Sequence, residues 1–154
     1  MKKIILSMVV FSLIFLVSCG DKAKKDGVEK TIKETVTEEP ASTDPMQNKG
    51  IGPVKSVTLA EEIDHELAAK GKEVYEQMCT ACHKVDKKFI GPAPKDILNR
   101  RSPEWVMNMI LNPDVMVKED PIAKALLAEY LSPMSNQNLT EEQARSILEY
   151  FRTL

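Results

Sequence analysis

The stretch Cys79-Thr80-Ala81-Cys82-His83 decides how the rest of this chain is read. Two thiols three positions apart, with an imidazole directly after the second, form the attachment signature of a c-type haem. The sulfurs add across the two vinyl groups as thioethers, and the histidine is held under the iron. Two other chemistries draw on the same residues. A Cys79–Cys82 disulfide of the thioredoxin type leaves His83 without a role and needs a strand-then-helix setting. A zinc site has only Cys79, Cys82 and His83 clustered; the other histidine is His65, and adjacent Cys82 and His83 suit tetrahedral coordination poorly. The surroundings of the pentapeptide have to choose among the three.

Toward the N-terminus, Lys2 and Lys3 precede fourteen residues, Ile4 to Val17, that are apolar except for Ser7 and Ser12. That is the length of a secretory signal's apolar region and falls short of the roughly 20 residues a membrane span needs. The segment closes on Leu16-Val17-Ser18-Cys19, which resembles a bacterial lipobox. The resemblance implies a signal peptide over 1–18 and a mature chain beginning at a lipidated Cys19, tethered firmly if two or more acyl chains are attached. The three cysteines are then all accounted for: lipid takes Cys19, and thioethers take Cys79 and Cys82.

Residues 19–60 read as a lipidated N-terminus and flexible linker. Across 20–60 there are seven basic and seven acidic residues and no aromatic, too little apolar surface to offset the entropy of ordering. Val54, Val57 and Leu59 are expected at the edge of the folded part. The folded domain is assigned to 61–154. It carries twelve Lys/Arg against sixteen Asp/Glu, a formal net charge of −4, with no basic stripe of the kind a nucleic-acid binder needs. At about 94 residues it is small for a core of side chains alone.

The periodicity within it is helical throughout. Ile63, Leu67, Val74 and Met78 place a first helix over about 62–79. Ser102-Pro103 is an N-cap followed by proline at the first helical position, opening a helix to about Leu111 that Asn112-Pro113 stops. Asp120-Pro121 repeats the start for a helix to about Leu131. Thr140 with Gln143 is a capping box for the last helix, whose apolar face is Ala144, Ile147, Leu148 and Phe151. No alternating run suggests a sheet. The fold class is all-α, with about four or five short helices.

These residues carry a resemblance to small single-haem, class I cytochrome c domains, covering 66–154. The family's opening pattern is matched by Gly71-Lys72-Glu73-Val74-Tyr75 leading into the haem motif. The resemblance implies one covalent haem c with its iron, and a crossing of the first and last helices at Gly71 and Tyr75, facing Ile147 and Tyr150. It implies that Pro92, in Gly91-Pro92, accepts a hydrogen bond from His83, the first axial ligand. Met134, 51 residues after His83 and six before Thr140, stands where relatives take the second axial ligand, although here Pro133 precedes it where many relatives have a following proline. Met116, read as lying in a loop, is its rival; Met107 and Met109 read as packing, and His65 as a surface residue. Trp105 is expected near a haem propionate, either donating its indole N–H or packing only, and Arg100 or Arg101 is expected to neutralise a propionate.

The function implied by the resemblance is that of an electron carrier rather than an enzyme, transferring single electrons across an exposed haem edge. The expected partners are redox proteins of a bacterial respiratory chain, such as a membrane dehydrogenase or quinol oxidiser and a terminal oxidase or reductase. The expected location is the cell envelope, lipid-anchored and facing the periplasm or exterior, as a monomer. Two other classes remain open on sequence alone: a haem-based small-ligand binder or sensor, and a haem-free interaction module on a lipid tether. A peroxidase of this type normally carries a second C-x-x-C-H, and this chain has one.

Overall fold

Helix α1 (His65–Met78) opens where Asp64, in an extended conformation, accepts a hydrogen bond from the Leu67 N–H at 2.9 Å. The cap fixes the start three residues later than the periodicity predicts. This computed structural model of the protein describes residues 42–154. Cys19, the apolar leader and the lysine-rich stretch after it lie outside them. After α1 come a short 3-10 turn (Ile97–Asn99), α2 (Pro103–Leu111), α3 (Pro113–Glu119), α4 (Pro121–Tyr130) and α5 (Glu141–Phe151). There are five α-helices and no strand among the described residues.

The frame is the crossing of α1 and α5. Gly71 is buried, and a Cβ added there would run into the Ser146 carbonyl of α5 and crowd the Ile147 N–H. Only a residue without a side chain lets the two backbones meet this closely. Tyr75, one turn on, packs its ring against Tyr150 and Phe151 with centroids 5.5 and 5.7 Å apart. Helix α5 starts at the predicted capping box, with both reciprocal bonds made. Its Ala144, Ile147 and Leu148 are wholly buried. Beside them Glu149, also buried, meets Arg145 and Arg152 at 2.6 Å each and accepts the Asp64 N–H, tying α5 to the start of α1. Burial alone would raise its carboxyl. The hydrogen bonds from Arg145 and Asp64, with the two positive charges, outweigh burial and hold it below the ordinary glutamate range.

Helices α2, α3 and α4 each begin on a proline. Helix α3 differs from the sequence expectation, which takes Asn112-Pro113 only as a stop. Proline lacks the N–H that a first helical residue leaves unpaired anyway, so the residue that ends α2 also starts α3. Met116 therefore lies in a helix and not in a loop.

A larger difference concerns 42–60, read from composition as linker. This segment is laid along α2, α3 and α4 as a strap. Asn48 is fully buried. Its Nδ2 donates to Asp120 at 2.6 Å, its Oδ1 accepts the Gly50 N–H, and its carbonyl accepts from Ser102 Oγ. Asn108 of α2 bonds the strap at Lys49 and at both backbone groups of Val54. Glu104 accepts the Val57 N–H, and Arg152 donates to the carbonyls of Ala60, Glu61 and Glu62. Val54 enters the core and Val57 and Leu59 pack against it, as expected at the domain edge, with Ile51 beside them; composition misses the rest because polar side chains from far along the chain meet the strap's backbone.

Candidate haem site

The pentapeptide sits at the C-terminal end of α1, with Cys79 as the cap residue. A helix C-terminus is the negative end of the helix dipole and disfavours a thiolate. Burial, and then the neighbouring Cys82, push the Cys79 thiol up to about 11. Thiol–disulfide enzymes need the opposite, a cysteine with a lowered pKa. The two cysteines are separate thiols. No three His, Cys, Asp or Glu side chains among the described residues converge as a bound zinc ion requires.

His83 is held from several sides. Its N–H donates to the Cys79 carbonyl at 2.9 Å, and its carbonyl accepts the Tyr75 hydroxyl at 3.0 Å. Its Nδ1 lies 2.8 Å from the Pro92 carbonyl. A carbonyl can only accept, so Nδ1 is the donor, and in the neutral ring Nε2 then holds the lone pair. Gly91 presses on the ring so closely that a Cβ there would collide with its Cε1 and reach Nδ1 at 2.8 Å. The Gly91 N–H in turn donates to the Cys82 carbonyl at 2.9 Å. The loop returning after the motif is thus pinned both to the motif and to the imidazole.

Cys79, Cys82, His83 and Pro92 line one cleft together with Met134. The space between its walls is about 1030 Å³, open solvent included, and the walls are largely apolar: Ile90, Met109, Val117, Ala123 and Leu126 among them. Trp105 is 4 % exposed and contributes to the wall. Its indole N–H is donated to Asp120 at 3.0 Å, so of the two roles read from the sequence, donation to a propionate or packing only, packing is the one that fits. Asp120 is the hub here, accepting also from Asn48, Ile122 and Ala123.

The two arginines divide. Arg100 also lines the cleft but is exposed and spends its Nη2 on the carbonyls of Ala93 and Lys95. Arg101 lies over the Trp105 ring, 5.3 Å from its centroid, and lines the cleft. Its Nε is buried without a partner. Burial, and then Arg100, lower its pKa, against the pull of Asp120. An orphaned guanidinium N–H in a cleft wall suits a carboxylate.

Met116 is fully buried away from this cleft, its sulfur accepting the Ile51 N–H at 3.0 Å beneath the strap. His65 is exposed at the start of α1. The donor set within the cleft, two thiols, an imidazole nitrogen and the thioethers of Met78, Met109 and Met134 among apolar walls, fits a haem c. The Tyr75 hydroxyl, Asp120 and Asn48 are not singled out by any short motif. Asp120 is legible as a cap before Pro121, but its bonds to Trp105 and Asn48 join residues far apart in the chain.

A family model described as cytochrome c matches residues 68–154. Among solved structures, a cytochrome c from Rhodothermus marinus is 49% identical, with a TM-score of 0.65 over 66% of this chain and 88% of that one. An engineered form of the R. marinus protein is 48% identical, with a TM-score of 0.64 over 66% and 89%. Another such engineered structure, bound to a carbene intermediate, is 49% identical, with a TM-score of 0.62 over 66% and 88%. A search of the curated proteins returned no match.

Proposed function

The chain belongs to the cytochrome c family, and on that premise we propose that it is a lipid-tethered electron carrier whose single haem is held by Cys79 and Cys82 and bound at iron by His83 and Met134. Electron transfer without catalysis is the family's work. The rest of the assignment is our reading.

A haem held by these residues would supply a one-electron couple, with His83 and Met134 as the side chains that would hold its iron. The chain's part is to fix the ligands and exclude water. The Pro92 carbonyl orients the His83 ring and fixes which nitrogen faces the cleft as the electron-pair donor. Met134 brings a soft, neutral sulfur that favours the reduced iron. Arg101 offers its unpaired Nε to a propionate. Trp105 and the apolar wall keep the interior dry.

The observation that carries this reading is the 2.8 Å contact from His83 Nδ1 to the Pro92 carbonyl, which leaves Nε2 as the free donor in a cleft shared with both thiols and Met134. Attachment of Cys19 to a membrane rests on the lipobox-like sequence. Between Cys19 and the strap at Ser42 lie 23 residue steps, a reach of at most roughly 80 Å. The domain would thus work close to its membrane, against redox proteins of the respiratory chain in the cell envelope.

The test is visible spectroscopy of Met134→Ala in both oxidation states. The long-wavelength methionine–Fe(III) band should vanish while the thioether-linked haem stays attached. Survival of that band would remove Met134 from the assignment. Haem extracted by acid acetone would remove Cys79 and Cys82.

A further inference from the structure

The two sides of the cleft are held very differently. His83 and its loop are fixed by hydrogen bonds that involve Tyr75, Cys79, Cys82 and Pro92. The loop from Ser132 to Leu139, which carries Met134, makes only local bonds: Gln137 to the Ser135 carbonyl and the Asn138 N–H to Asn136. No hydrogen bond among the described residues joins it to another element. Apart from the packing of Met134 and Leu139 against the core, its position is set by its two ends. One is the capping box at Thr140. The other is the C-terminus of α4, where Leu131 turns the chain in the left-handed region at φ 53°.

Helix α4 packs chiefly on α3. Its first turn is fixed by Asp120, which is wholly buried. Among the described residues its last turn has one side-chain hydrogen bond to another element, from Lys88. The Lys88 ammonium donates to Glu129 at 2.8 Å and sits 4.2 Å above the Tyr130 ring. Lys88 belongs to the loop whose Gly91 and Pro92 hold the His83 ring. It therefore ties the element that positions one axial candidate to the element that launches the other.

We propose that Lys88 is a positioning residue that latches the α4 end and so holds the Met134 sulfur at the iron. The proposal rests on the Met134 ligation put forward under the proposed function. With the latch intact, the loop has no slack at its α4 end. With it broken, α4 can pivot about its Asp120 end and the thioether is displaced more easily. The bond is exposed, so the effect is a shift in an opening equilibrium, not loss of the ligand.

The experiment is titration of the oxidised, haem-loaded full chain with imidazole, followed at the methionine band at low and high salt. Lys88→Glu and Glu129→Lys each replace the attraction by repulsion. Each should raise imidazole affinity by about fivefold, the scale of an exposed ion pair plus a cation–π contact. The Lys88→Glu/Glu129→Lys double variant should return to within about twofold of the native value, because the pair is restored with its sign reversed. High salt should raise the native affinity toward that of the single variants. A merely structural role would lower thermal stability without moving imidazole affinity measured far below the melting range. Met134→Ala, which lacks the methionine band and is followed instead at the main haem absorption band, as the other variants are in parallel, serves as the reference. If it binds imidazole more tightly while the single charge variants match the native protein, the latch is overturned and Met134 ligation stands. If Met134→Ala leaves imidazole affinity unchanged, the ligation fails and the latch falls with it.

Discussion

Replacing Gly71 by alanine puts the α1–α5 crossing to a test whose sign is informative. In an isolated helix the change is favourable, by about 1 kcal/mol. In this fold the new methyl group would meet the Ser146 carbonyl and the Ile147 N–H. Both are backbone atoms of the interior of α5, so no rotamer change relieves the clash. The helices must separate, and the contacts of Tyr75 with Tyr150 and Phe151 loosen with them. Overpacking against rigid neighbours costs about 3 kcal/mol, at the upper end of its usual range. The net effect is a loss of about 2 kcal/mol after the helix gain is subtracted. For a domain of this size that lowers the melting temperature by roughly 10 °C. The assay is thermal unfolding of the haem-loaded protein followed by circular dichroism. A melting temperature equal to or above that of the native chain would refute the crossing geometry, since helix propensity would then be the only term acting.

Glu149→Gln should destabilise the protein by about 3 kcal/mol at neutral pH, because it uncouples Arg145 and Arg152 from a buried partner. The Glu149 carboxyl titrates low in the folded state, so its contribution is complete above the unfolded glutamate value and disappears as pH falls through the lower folded value. Denaturant midpoints measured from neutral to acid pH should fall less steeply in the variant; parallel curves would contradict the ion-pair account. Asn48→Ala should cost about 2 kcal/mol, one for each side-chain hydrogen bond lost to Asp120 and Gly50. It should also speed amide exchange at Gly50. Unchanged exchange there would mean that the strap is not held by Asn48.

How much of the fold and the site was legible depended on the range of the interaction. The caps at Ser102, Asp120 and Thr140 were readable because a cap and its partner lie two or three residues apart. The face of α5 was readable because helical spacing repeats within one element. Helix α3 was missed because one Asn-Pro pair carries two meanings, stop and start, and only the chain beyond it chooses. The strap was missed for a different reason. Its low apolar content describes what it cannot do alone, whereas Asn108 and Glu104, about 50 residues away, supply the partners its backbone needs. The choice between the two roles read for Trp105 was out of reach in the same way: the indole N–H finds Asp120, the residue that caps another helix.

The identity of the cofactor, the all-helical class and the residues proposed to grip the haem come from local chemistry, since two thiols, an imidazole and a Gly-Pro pair carry their meaning in close spacing. The folded arrangement alone decided that Met134 lines the cleft with His83 while its rival Met116 is buried elsewhere, that Arg101 has the buried N–H without a partner, and that residues 42–60 belong to the domain. Those outcomes depend on which buried donors and acceptors meet across the chain. A buried polar group must find a partner wherever the packing puts one, and that place is not written in any short stretch of sequence.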